Sequence, residues 1–359
     1  MNSFVTRVRN RIEGSNTYGN SKQFWVAFII GFVGLLIYPL LFGTFAASNA
    51  ALFFIFSFLG LSLAFIWGYC GILSFGQVIF FGIGGYTFGI VGINFPGAGW
   101  SLIGLLLAVV VAAAGAAILG YFMFYGGIRD VYVSIITLVV TLVAFTSMSR
   151  SSRWEIGEAS LGGLNGMTGI PTLQLGIGET AIAADGVVIY YFVLGTLLVT
   201  YIGLRALVNS QYGHSMVAVR EDESRTQSFG YNTARIKLVV FSIGGALGGF
   251  GGALFASWGN YIDPSVFGIS FAILPVIWVS IGGRKSLIGA ITATIFIEWL
   301  SNRLAVTGSE YALIVVGVLL LGTILFLPEG VVPRLVELFD SLKRPPDRPS
   351  RREDSSTPE

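Results

Sequence analysis

Five of the six residues from Arg220 to Arg225 are ionisable: Arg220, Glu221, Asp222, Glu223 and Arg225. They follow Gly213-His214-Ser215-Met216-Val217-Ala218-Val219 and lead through Thr226-Gln227-Ser228-Phe229 to Gly230. The run reads as a short helix with Ser215 as its N-cap and Gly230 as its stop. Glu221 and Arg225 stand four residues apart and can pair on one helix face. Met216, Val217 and Val219 form an apolar patch ahead of the charges. A patch followed by charges suits docking onto another protein; the plain alternative is a solvated connecting helix.

Other reactive groups are few. Glu298 lies inside an apolar run, and Thr294, Glu298 and Asn302 recur every four residues as a short polar seam. A carboxylate at that depth either lines a path or gate, or is neutralised locally by Asn302 or Arg303. Ser74 and Gln77 sit in a glycine-broken stretch, where they line a path or satisfy bent backbone. Cys70 is the one cysteine and His214 the one histidine, so there is no intrachain disulfide and no His or Cys metal cluster. No carboxylate pair falls within the apolar runs. Gly283-Arg284-Lys285-Ser286 lacks the upstream glycines of a phosphate-binding loop. These absences argue against an enzyme and against nucleotide binding by this chain.

The elements that must position these residues are read from hydropathy. Only 11% of residues are charged and 54% are hydrophobic, against about 25% charged in an average soluble domain. The mean hydropathy is +0.78. From Gln23 to Ile128, 106 residues pass without an Asp, Glu, Lys, Arg or His. One membrane span needs about 20. The sequence therefore predicts an all-α integral membrane protein of about ten spans: 24–45, 49–67, 77–94, 101–124, 131–148, 187–208, 236–256, 268–282, 287–305 and 311–327. Gly68, Gly71 and Gly76 predict a broken or re-entrant piece near 68–94.

Lys and Arg set the orientation. With the N-terminus inside, 18 of the 21 basic residues fall on inner segments, leaving Arg150, Arg153 and Arg303 outside. Both termini are then cytoplasmic and the span count is even. Residues 1–22 form a polar N-terminal segment ahead of an uncleaved first helix. Residues 23–328 form the membrane domain, with an outer loop at 149–186 and an inner loop at 209–235. Residues 329–359 form a cytoplasmic tail, disordered from about 341. Gly244, Gly248 and Gly252 share one helix face, and Gly85 and Gly89 another, which favours close helix packing in lipid.

The inner run resembles the cytoplasmic coupling segment of ABC import permeases for branched-chain amino acids. Gly213, Ala218, Arg220, Glu221, Asp222, Glu223 and Gly230 match at the family's spacing; Ser224, Arg225 and Thr226 replace its usual alanine-rich stretch. Three further segments resemble the family in order. They are Gly68-Tyr69-Cys70-Gly71-Ile72-Leu73-Ser74-Phe75-Gly76-Gln77 with Phe80–Tyr86, the loop Gly163-Leu164-Asn165-Gly166-Met167-Thr168-Gly169-Ile170-Pro171, and Gly282-Gly283-Arg284 with Leu287–Ala290. Relatives usually carry His where Gln77 stands. Ile277-Trp278-Val279-Ser280-Ile281-Gly282-Gly283-Arg284 looks closer to the family's urea-transporting branch.

The resemblance implies a permease subunit in a prokaryotic plasma membrane. It implies a second related permease, two ATPase subunits that carry the ATP and Mg, and an extracytoplasmic solute-binding protein. Besides these and membrane lipid it implies no nucleic-acid partner, and in this chain no cofactor and no metal. Gly213, Ala218, Arg220, Glu221, Asp222, Glu223 and Gly230 would couple to the ATPases. Ser74, Gln77, Asn165 and Glu298 are the path candidates. The expected solute is a branched-chain amino acid, with urea or a short amide as the alternative. A passive channel for a small neutral solute is the rival of another class.

Overall fold

The computed structural model describes residues 13–17, 19–129, 131–176 and 178–306, with 317–318, 321–322 and 334 beyond them. The expected tenth span, 311–327, lies almost wholly outside the described residues, as do the segment before residue 13 and the tail. Helices dominate the rest. They are α1 Lys22–Cys70, α2 Gln77–Asn94, α3 Ala98–Tyr125, α4 Val131–Ser149, α5 Val187–Val208, α6 Gln211–Glu221, α7 Glu223–Ser228, α8 Thr233–Gly259, α9 Ile269–Gly282 and α10 Leu287–Val306. Six of them are long and apolar enough to cross a membrane alone, and α9 with α10 makes a seventh candidate as a pair bent by 119°. The described residues therefore hold six or seven candidate spans rather than ten.

Part of the difference lies in α1, which covers two expected spans. Its backbone leaves helical geometry at Gly43 (φ 79°, ψ 176°). The Tyr190 ring lies 6.1 Å from Tyr38 and 5.3 Å from Phe54. A straight helix would separate residues 38 and 54 by about 24 Å. The chain must fold back at Gly43, giving two antiparallel pieces, 22–42 and 44–70. Pro39 in the first piece has no N–H to donate to Leu35 O. The Tyr190 hydroxyl donates to that carbonyl instead, at 2.6 Å. The bilayer offers no replacement donor, so α5 must supply it.

Piece 44–70 runs through the centre with Phe54, Phe58, Leu59, Phe65 and Ile66 buried. Helix α8 packs beside it on two glycine stripes. A Cβ at Gly252 would sit 1.7 Å from Phe81 O of α2, and one at Gly248 3.2 Å from Gln77 O. A Cβ at Gly245 or Gly249 would strike Ala116 or Ala112 of α3, at 2.3 and 2.2 Å. The expected Gly244–Gly248–Gly252 face is present; the second stripe was not anticipated. Gly89 serves another purpose, receiving Met167 and Ile170 of the outer loop.

The broken region resolves into a non-helical link. Gly71 ends α1 in the left-handed conformation (φ 78°), and α2 begins at Gln77. Helix α4 satisfies the link's backbone. Ser134 Oγ donates to Leu73 O at 2.9 Å, and Thr137 Oγ1 accepts from Phe75 N at 3.2 Å. Ser134, Thr137 and Thr141 form a polar stripe on the buried face of this helix. Irregular backbone at membrane depth needs such donors and acceptors from protein.

Two ends of the bundle follow from long-range contacts. Residues 13–17, 19–20, 68–72, 205–237 and 284–285 gather at one end. The outer loop gathers at the other, as three two-residue β ladders. Met167–Thr168 pairs antiparallel with Tyr261–Ile262, joining the loop to the segment after α8.

Candidate coupling interface and translocation path

Ser210, rather than Ser215, caps the inner helix α6 by accepting from Gly213 N at 3.3 Å. Ser215 lies inside the helix and its hydroxyl donates back to Gln211 O at 3.2 Å. Asp222 splits the run. It ends α6 with extended backbone and caps α7 by accepting from Arg225 N at 2.9 Å. Gly230 (φ 86°) stops the second helix where the sequence places the stop. Met216 and Val219 are buried against the bundle and Val217 partly so. The apolar patch therefore fastens the segment to its own chain and leaves the charges to face outward.

The charges divide into two groups. Arg220 turns inward. Its Nη1 donates to Gly68 O at the end of α1, and its side chain is 18% exposed. Its Nε donates to Glu221 Oε1 at 3.1 Å, and Glu221 is 64% exposed. Arg220 holds the Glu221 carboxyl below the ordinary carboxylate range, first by the hydrogen bond and then by charge. The expected Glu221–Arg225 pair is replaced: Arg225 sits 3.6 Å from Asp222, both well exposed. Glu223 also turns inward. Its Oε2 accepts from Lys237 Nζ at 2.6 Å and lies 3.8 Å from Arg129 Nε. Gly213 tucks against Val208 O with no room for a Cβ, and Ala218 lies on α6 one turn before Arg220's neighbours.

The N-terminal segment joins the same end. Asn209 Nδ2 donates to Thr17 Oγ1 at 3.0 Å, and Asn16 Nδ2 lies 2.7 Å from His214 Nδ1. Arg205, counted only as an inner basic residue from the sequence, is fully buried there. It donates to Tyr201 Oη, Gly19 O and Asn20 Oδ1, each at 2.8 Å. The rings of Trp25 and Phe24 flank it at 5.0 and 5.2 Å. Tyr201 four residues earlier was the one local signal for this site.

The path candidates are not brought together. Ser74 and Gln77 are buried, Gln77 beside Ser62 and Gly244 in the interior of their helices. Ser74 Oγ accepts from Gly76 N at 3.0 Å, so it closes the bent link. The Ser62 hydroxyl lies 2.6 Å from Gln77 Oε1 and 2.7 Å from Gly244 O, and its single proton serves one at a time. That knot ties α1, α2 and α8, with Gln77 Nε2 buried and unpartnered. Asn165 is exposed in the outer 3-10 turn Gly163–Asn165. Glu298 is partly buried on α10 near the Trp278 indole. The Thr294–Glu298–Asn302 seam runs from buried to exposed, with Thr294 against Gly60.

A family model, "Branched-chain amino acid transport system / permease component", matches residues 45–324. The chain belongs to this family. Membership makes it a permease component of a transport system, a multi-pass membrane protein of the plasma membrane. Two relatives are each called "High-affinity branched-chain amino acid transport system permease protein LivM". The one from Escherichia coli (strain K12) is 29% identical over 343 residues, covering 90% of this chain and 77% of the relative. The one from Salmonella typhimurium is 28% identical over the same shares. A "Probable branched-chain amino acid transport permease protein LivM" of Methanocaldococcus jannaschii is 23% identical, covering 62% of this permease and 71% of the relative. No solved structure matches the permease.

Proposed function

We propose that this permease component forms the translocation path of a binding-protein-dependent ABC importer for branched-chain amino acids. It pairs with a second, related permease. Two ATPase subunits, which carry the ATP and Mg, dock on the 209–235 segment. A solute-binding protein delivers the amino acid to the outer loop. Both termini are cytoplasmic. The concentration of Lys and Arg at the α6–α7 end, with Arg150, Arg153 and Arg303 on outer segments, supports that orientation.

The observation that carries the reading is the coupling segment itself. It is a capped two-helix element fastened to the bundle by its apolar face, with Glu221, Asp222 and Arg225 exposed. A merely solvated connection has no need of that anchoring. Of the path candidates, Asn165 and Glu298 keep exposed surface, so they can meet solute at the outer mouth and along α10. Ser74 and Gln77 can do so only if α2 and α8 part. The named relatives speak of branched-chain amino acids, which favours that solute over the urea suggested by residues 277–284.

The test is uptake of labelled leucine into proteoliposomes holding the permease with its partner subunits and binding protein. Uptake that requires internal ATP and is not competed by excess urea supports the reading. Uptake that persists without ATP or partners marks a passive channel.

A further inference from the structure

Glu223 differs from the charges around it. Its carboxylate points away from the surface offered to a docking partner and reaches the first turns of α8 through Lys237. Both side chains are largely covered, 19% and 11% exposed, so solvent screens this pair less than a surface pair. Lys237 also lies 6.0 Å from the Phe124 ring centroid at the end of α3. Arg129, in the link between α3 and α4, completes a three-way cluster at 3.8 Å.

The cluster has an unusual position. Two crevices of about 500 and 270 Å3 open at this end of the bundle, and Phe124, Arg129, Glu223 and Lys237 line both. Those four residues are the partition between them. With space on both sides, the cluster and the Gln227–Thr233 hydrogen bond are the polar links from α7 to α8 here. Helix α8 in turn carries both glycine stripes, so a shift of α8 moves its contacts with α2 and α3 together.

We propose that Glu223 is the positioning residue through which the coupling segment moves the bundle. Its bridge to Lys237 and Arg129 transmits displacement of α6–α7 to α8 and to the α3–α4 elbow. The exposed charges Glu221, Asp222 and Arg225 serve docking instead. This assignment rests on the importer reading. It predicts that docking and coupling can be separated by substitution.

The experiment compares wild type, Glu223→Gln, Glu221→Gln and the swap Glu223→Lys with Lys237→Glu in the assembled importer in proteoliposomes. Leucine moved per ATP hydrolysed and ATPase subunits retained on purification are both measured. Glu223→Gln is expected to lower leucine moved per ATP at least tenfold while retaining the ATPase subunits. Glu221→Gln is expected to weaken retention with little change in that ratio. The swap restores the 223–237 link but sets Lys at 223 beside Arg129, so it regains only part of the ratio, a third or more, and serves if Glu223→Gln does not reach the membrane. The proposal is overturned if Glu223→Gln couples like wild type, if it loses the ATPases as Glu221→Gln does, or if the swap stays uncoupled. A wild type whose leucine uptake ignores ATP would instead overturn the importer reading beneath it.

Discussion

The two ends of this permease are fastened by different chemistry. At the inner end, ionised groups add to the buried Met216 and Val219 in holding α6–α7: Arg220 on Gly68 O and Glu223 on Lys237 and Arg129, with buried Arg205 of α5 binding residues 19–20 beside them. At the outer end, neutral hydrogen bonds and short ladders hold the loop. Asn94 donates to Ile156 O and accepts from Glu158 N, at 2.8 and 2.7 Å. Ser257 accepts from Leu173 N at 2.7 Å, and Asn260 donates to Ile170 O at 2.9 Å. Charged links act over a longer range and tolerate small displacements, since Coulomb energy falls slowly with distance. Neutral hydrogen bonds weaken steeply with misalignment. The proposed coupling has the inner end move as a unit against the spans while the outer end keeps its shape.

The comparison can be broken in several places, starting with the frame both ends share. Gly252→Leu places side-chain carbon where Phe81 O already lies 1.7 Å from an added Cβ. Overpacking of that kind costs about 1–3 kcal/mol or more, and against backbone the high end applies. The expected outcome is loss of folded permease from the membrane, read by detergent-stable monodispersity. Gly195→Ala, where nothing lies within 4 Å, is the control and should match or exceed wild type by about 0.5–1 kcal/mol.

Next in size is the outer loop. Asn94→Leu removes two loop contacts and its own bond to Ile90 O. At about 1 kcal/mol for each neutral bond, the loop loses roughly 2 kcal/mol of anchoring through its two contacts. Limited proteolysis near 155–158 should accelerate by an order of magnitude or more, with the inner segment unchanged. Equal acceleration at both ends would erase the distinction drawn here.

Salt sharpens the comparison directly. Raising ionic strength from about 0.05 to 0.5 M shortens the Debye length from roughly 14 to 4 Å. Amide exchange at 222–228, beside the exposed Asp222–Arg225 pair, should rise by more than about twofold, while the covered Glu223–Lys237 link is screened less and exchange at the Met167–Thr168 and Tyr261–Ile262 ladder should stay within about twofold. The smallest effect expected is Asp222→Ala. Loss of the cap on α7 costs about 1 kcal/mol, read as faster exchange at Arg225 and Thr226 with α6 unaffected.

These contrasts were unevenly legible in the sequence. The apolar runs place most helices because lipid imposes length and composition on them. Gly230 and the non-helical link after Cys70 were legible because glycine conformations are local. The Ser210 cap was missed because several serines can compete for one helix start. The Gly43 turn was missed because fold-back is decided by partners such as Tyr190, 147 residues away in sequence. The division of the charged run into inward Arg220 and Glu223 and outward Glu221, Asp222 and Arg225 was not legible. It depends on Gly68, Lys237 and Arg129, none of which is a neighbour at helical spacing.

The central claim is that the 209–235 segment couples this permease to ATP-driven import. Leucine uptake by the reconstituted importer, with and without the double reversal Glu221→Arg plus Glu223→Arg, tests it most directly. The account predicts uptake that needs ATP in the wild type and falls to background in the reversed protein, with the permease still folded. Unchanged uptake and unchanged substrate-stimulated ATP hydrolysis after the reversal would contradict it.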